Sequence, residues 1–156
     1  MVTRFEQFTA SVASIYRSVQ KIERVEMAKY GLKGPHAQVL LAMSRFPEGV
    51  TSGELVKLCD KDKAAISRTV AELEREGMVN RQGKNGNFYR AALMLTDRGR
   101  EAAEHVAVRA KHAVEAASDG LSDGNRQVLY AALELIANHL QNICDMGLAD
   151  EKDTTD

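Results

Sequence analysis

The chain has no tryptophan, only two prolines (Pro35 and Pro47), and 5% aromatic residues. With so few helix breakers and so much Ala, Leu, Glu and Arg, a mostly helical protein is expected. Cysteine occurs only at 59 and 144, far apart and in no metal-like spacing, which predicts reduced thiols. The opening Met1-Val-Thr-Arg-Phe-Glu-Gln-Phe lacks the apolar run of a secretory signal. No window approaches the length that spans a membrane, so a cytoplasmic protein without a membrane partner is expected. There is no Ser-His-Asp pattern, Gly-rich phosphate loop or paired-carboxylate constellation, and the expectation is no enzyme and no cofactor. The four histidines are 36, 105, 112 and 139. His105 and His112 lie seven apart on one helical face, whereas zinc favours i,i+4 pairs or Cys/His clusters, so no metal site is expected.

What is present is globular: 156 residues, 44% apolar and 28% charged, enough for one domain with a sizeable core. The net charge of −1 announces no polyanionic partner, but its distribution is uneven. Residues 51–100 hold ten basic against seven acidic side chains, and the remainder holds eleven against fifteen. The basic excess is modest and sits on the segment with the most structured pattern.

That segment is preceded by two helices. From about Phe5 to Tyr30, apolar residues recur every three or four positions (Phe5, Phe8, Val12, Ile15, Val19, Ile22), giving a wide apolar face that Gly31 ends. A second helix starts near Gly34-Pro35 and runs to about Arg45, before Phe46-Pro47-Glu48-Gly49. Thr51 and Glu54 then form a T-x-x-E capping box, with Val50 and Leu55 placed as a hydrophobic staple, and this third helix is short, ending near Leu58. Asp60 or Asp62 caps a fourth helix that runs to about Glu76 and stops at Gly77. Ile66, Val70 and Leu73 form its buried stripe, leaving Lys63, Ala64, Ser67, Arg68, Ala71 and Arg75 outside. A short helix, a tight turn and a second helix with such a face is the arrangement that places side chains in a DNA major groove.

Two strands follow, Met78 to Gln82 and Phe88 to Leu95, around Gly83-Lys84-Asn85-Gly86-Asn87. Thr96 or Asp97 opens a fifth helix to about Ser118, whose face is rich in Ala and suits close packing by another helix. A sixth follows the Gly120-Leu-Ser-Asp-Gly turn, with Val128, Leu129, Leu133, Ile136, Leu140 and Ile143 on one face. The acidic residues 147–156 are expected to be a disordered tail.

The sequence I-S-R-T-V-A-E-L-E-R-E-G-M-V, followed by Y-R-A-A-L-M-L-T-D-R-G-R-E, resembles the MarR-type winged helix-turn-helix transcriptional regulators. The resemblance covers about residues 5–146. It implies a mainly α fold with a small β-hairpin wing, a DNA-binding part at 32–100, and long dimerisation helices at 5–30 and 101–146, all in one winged-helix regulator of residues 1–146. It also implies a homodimer on a pseudo-palindromic double-stranded operator, acting as a repressor released by a small-molecule effector. Carried onto this sequence, Ser67 and Arg68 match the positions that touch bases and phosphates, and Lys63 and Ala64 share their face. Arg81, Lys84 and Arg90 are the expected wing contacts. The family's wing often pairs an Asp with its arginine; here the sequence is Asn87-Phe-Tyr-Arg90, without that acidic partner. Tyr16, His36 and His105 are expected to line the effector pocket. Two alternatives remain open: a winged-helix protein-interaction module that does not bind DNA, and a thiol redox switch through Cys59. Against the switch, Cys59 is expected to be buried and inert, while Cys144 is expected at a dimer interface.

Overall fold

A computed structural model describes residues 3–82 and 91–147. The elements run α1 (Arg4–Ala28), α2 (Gly34–Met43), α3 (Ser52–Cys59), α4 (Lys63–Arg75), β1 (Val79–Gln82), β2 (Ala92–Leu95), α5 (Asp97–Ala117) and α6 (Asp123–Met146). The chain divides into two compact units, Met1–Ala113 and Val114–Asp156. The turn expected at Asn85-Gly86 and the acidic tail beyond Gly147 lie outside the described residues.

In the first unit α2 is the central post. Six of its ten residues are buried, among them His36, Val39, Leu40 and Met43, and α3, α4 and the end of α1 close around them. The α4 stripe of Ile66, Val70 and Leu73 is buried as its spacing predicts, and the core continues through Met78, Val79, Leu93 and Leu95 into Ala102, Ala103 and Val106 of α5. Strand β1 runs antiparallel to β2 with Val79 opposite Leu95 and Gln82 opposite Ala92. Val50 adds a bridge to Leu93 through two hydrogen bonds of 3.0 and 2.8 Å, which ties the start of α3 to the sheet.

Helix ends follow the chemistry of their caps. Thr51 accepts from the Glu54 amide while the Glu54 carboxylate accepts from the Thr51 amide, so both orphan donors are satisfied. A second box, Thr3 with Glu6, opens α1. It is a signal the sequence carries as plainly as T-x-x-E at 51. Helix α1 stops at Ala28 rather than Tyr30, because Gly31 in a left-handed conformation (φ +71°) folds the chain back and the Leu32 amide donates to Met27 O at 3.0 Å. Asp62 caps α4, accepting from Ala65 N at 2.7 Å. Asp60 takes a different part: at φ 48° it is the left-handed residue that ends α3, and the Lys61 amide reaches back to Val56 O at 3.2 Å.

The L-T-D-R-G segment is a joint between β2, α5 and the end of α4. The Thr96 hydroxyl donates to Gly77 O at 2.7 Å and accepts from the Gly99 amide, while the Thr96 amide donates to Met78 O at 3.0 Å. Arg98 donates to Glu76 O and Arg100 to Leu95 O, both at 2.9 Å. A Cβ built on Gly99 would lie 2.0 Å from Met78 O, so only glycine allows this approach.

The second unit holds the last turn of α5 and all of α6. Ser122 caps α6 by accepting from Asn125 N at 3.2 Å, and no residue of α6 is buried. Val128 is 69% exposed, and Leu129, Leu133, Leu135, Leu140 and Ile143 are exposed as well. Within the first unit the N-terminal part of α1 shows the same pattern, with Phe5 73% exposed and Val12, Ile15 and Tyr16 also open.

Candidate nucleic-acid interface

Helix α4 is anchored on one side and open on the other. Lys63, Ala64, Ser67, Arg68, Ala71 and Arg75 are all exposed, as the spacing of Ile66, Val70 and Leu73 requires. Among the described residues, no hydrogen bond or ion pair engages the side chains of Lys63, Ser67 or Arg68. Three donor-bearing groups therefore share a face with the small side chains Ala64 and Ala71, a surface suited to close approach to a polyanion.

The anchored side is held by charge as well as apolar packing. Glu72, one turn after Arg68, accepts from His36 Nε2 at 2.8 Å and from Lys33 Nζ at 3.3 Å, and these bonds hold its carboxyl below the usual carboxylate range. Glu74 takes Arg81 of β1 in a two-point pair, 2.7 Å to Nε and 3.2 Å to the second nitrogen. Arg81, one of the expected wing contacts, has its guanidinium fork bound to Glu74. Lys84 and Arg90, the other two wing residues, lie outside the described residues.

This geometry is similar to that of known proteins. A family model described as "MarR family" matches residues 30–86, the stretch that holds α2, α3, α4 and β1. The chain has the MarR-type winged-helix fold. Among curated relatives, the HTH-type transcriptional regulator YdgJ of Bacillus subtilis is 26% identical over 140 residues, spanning 87% of this chain and 85% of its own length. Two solved structures share the fold. A MarR transcriptional regulator from Methanosarcina mazei superposes with TM-score 0.78 at 21% identity, covering 88% of this chain and 99% of that one. A MarR-family regulator from Listeria monocytogenes, solved with a 26mer DNA, gives TM-score 0.76 at 18% identity, covering 92% and 97%. MarR-family proteins are transcription regulators and not enzymes. Among the described residues no helix is long and apolar enough to cross a membrane, and no group of three His, Cys, Asp or Glu side chains is gathered as a metal set.

Tyr16, His36 and His105 do not line one cavity. Tyr16 lines a hollow of about 490 Å³ bounded by α1, α2 and the α3–α4 turn, with Gln20, Glu23, Arg24, Gln38 and Lys61 among its walls. Partial burial pushes the Glu23 carboxyl there upward. His36 is buried and lines a separate hollow of about 220 Å³ with Lys33, Glu72 and Arg75. His105 binds Glu26 at 2.6 Å and meets the Tyr30 ring edge-on, with 5.6 Å between centroids. Glu26 is itself buried and is held down to about 2, first by Lys29, then by His105, with Arg109 also in contact. The three residues were grouped by family expectation; each of the two histidines has instead a carboxylate partner, far apart in sequence, that no local pattern announces.

Cys59 is buried, with its thiol 3.9 Å from Gln38 O, and burial pushes its pKa up. Thiolate chemistry needs the opposite conditions. Cys144 on α6 is exposed in the single chain.

Proposed function

We propose that this protein is a homodimeric, sequence-specific DNA-binding regulator, a repressor that releases its operator when a small-molecule effector binds. The observation that carries DNA binding is the outer face of α4, where Lys63, Ser67 and Arg68 stand exposed and unengaged on a helix held rigidly from behind. The Listeria monocytogenes relative was solved with DNA, which supports the same use of the fold here. The arms around it, 5–30 and 101–146, serve as the dimerisation helices of a single winged-helix regulator. Support comes from α6, a 24-residue helix with no buried residue and a full apolar face, and from the open apolar face of α1. Each large side chain covered by a partner would contribute about 1.5–3 kcal/mol. For the effector, Tyr16 marks the best seat, since its hollow falls in the volume range of small-molecule sites.

Arg68→Ala tests the reading. It should lose operator binding in a gel shift with the protein's own upstream DNA, while size-exclusion chromatography still reports the dimer. Wild-type binding should also fall steeply with salt, because phosphate contacts release counterions. An Arg68→Ala protein that shifts the operator as the wild type does would sink the assignment of this face. A wild type that gives no specific shift at low salt would favour a protein-interaction module instead.

A further inference from the structure

Helix α4 is joined to α2 by a hydrogen-bond relay whose direction can be read from its donors. The Lys33 amide, the N-cap of α2, lies 3.0 Å from His36 Nδ1. An amide can only donate, so Nδ1 accepts and the ring proton sits on Nε2. That proton points at Glu72 Oε2, 2.8 Å away, and Lys33 Nζ meets the same oxygen at 3.3 Å. His36 is buried, so its ring is fixed by packing as well as by its two bonds. The relay thus runs from the first turn of α2, through a rigid ring, to a carboxylate one helical turn beyond Arg68.

We infer that Glu72 and His36 are positioning residues for DNA recognition, setting the rotation of α4 so that Ser67 and Arg68 face the bases in register. This rests on the reading of α4 as the recognition helix. Rotation matters more for base readout than for phosphate attraction, because hydrogen bonds to base edges are directional while the pull on phosphates is not. Losing the relay should therefore cost specific binding and spare non-specific binding.

The experiment compares Glu72→Ala with Glu72→Gln. Both remove the same negative charge near the DNA face, so any general gain in attraction to phosphate is common to the two. Only Gln keeps an oxygen that accepts from His36 Nε2. The probe is a duplex selected from random-sequence DNA by the wild-type protein, measured against a scrambled duplex of equal length. We expect Glu72→Ala to lower the ratio of specific to non-specific affinity about tenfold, the worth of one hydrogen bond to a charged group. Glu72→Gln should hold the ratio within about twofold of wild type, and that rescue is what a merely electrostatic role would not produce. Urea unfolding checks that both variants are folded, and His36→Gln, which retains a donor toward Glu72, gives an independent arm expected to fall between them. Equal ratios for Glu72→Ala and Glu72→Gln overturn the inference while leaving the recognition helix intact. A wild type that selects no duplex at all overturns both.

Discussion

Replacing Gly99 by alanine puts one methyl group where the structure has no room for it. The added Cβ would lie 2.0 Å from Met78 O, 3.0 Å from Met78 C and 3.3 Å from Met78 Cα. All three neighbours are backbone, and Met78 itself is fully buried, so no flexible side chain can swing away. Relief needs a shift of more than 1 Å between the start of α5 and the end of α4, since ordinary carbon–oxygen contact begins beyond 3 Å. That shift would stretch the Thr96 N–H bond to Met78 O (3.0 Å) and the Thr96 hydroxyl bond to Gly77 O (2.7 Å). Overpacking costs about 1–3 kcal/mol, and two weakened hydrogen bonds add roughly 0.5–1.5 kcal/mol each. Against this, alanine is favoured over glycine inside a helix by about 1 kcal/mol. The net loss is about 1–5 kcal/mol, or roughly 2–20 °C in Tm for a chain of this size. Urea unfolding followed by circular dichroism at one fixed protein concentration measures it. Stability equal to or above that of wild type would refute the steric argument, since helix propensity would then have outweighed any clash.

Acid sensitivity and thiol reactivity give two further tests. Glu26 is depressed to about 2 by Lys29, His105 and Arg109, so its contribution to stability is in full force above the ordinary carboxylate pKa near 4.5 and is lost as pH falls through about 2. Glu26→Gln should flatten the unfolding profile across that acid window, and an unchanged acid slope would mean that the cluster does not couple to folding. Of the two thiols, exposed Cys144 should react with a thiol reagent in the folded protein unless a partner subunit covers it, whereas buried Cys59 should react only on unfolding. Rapid modification of Cys59 with peroxide-sensitive DNA release would restore the redox-switch alternative.

The parts legible in the sequence are those governed by neighbours three or four residues apart. The Thr51–Glu54 box, the Asp62 cap, the stripe of Ile66, Val70 and Leu73, and the stop at Gly77 are all local, and all stand where their spacing put them. What was hidden lies in pairings across the chain. His36 meets Glu72 36 residues away, and His105 meets Glu26 79 residues away. No periodicity marks a histidine as the partner of one carboxylate among many. The apolar faces of α1 and α6 were legible as apolar, but not as exposed in the single chain. Periodicity reports that a face needs cover without saying which surface supplies it.

Helix α4 carries these two kinds of information at opposite ends. Its C-terminal half is fixed by long-range contacts: Glu72 to His36 and Lys33, Glu74 to Arg81, and the backbone of Glu76 and Gly77 to Arg98 and Thr96. Its N-terminal half is held by the Asp62 cap and by buried Ile66, and among the described residues no hydrogen bond or ion pair engages the side chains of Lys63, Ser67 or Arg68. In helix-turn-helix docking it is the N-terminal residues of the second helix that reach base edges. A helix clamped at its base and bare at its tip suits that geometry, because the clamp limits rotation while nothing competes for the donors at the tip. The acidic residues Glu72 and Glu74 would repel phosphate if left unpaired. Bound as they are to a histidine, a lysine and an arginine, they work as anchors, and the positive face of α4 is not offset by its own helix.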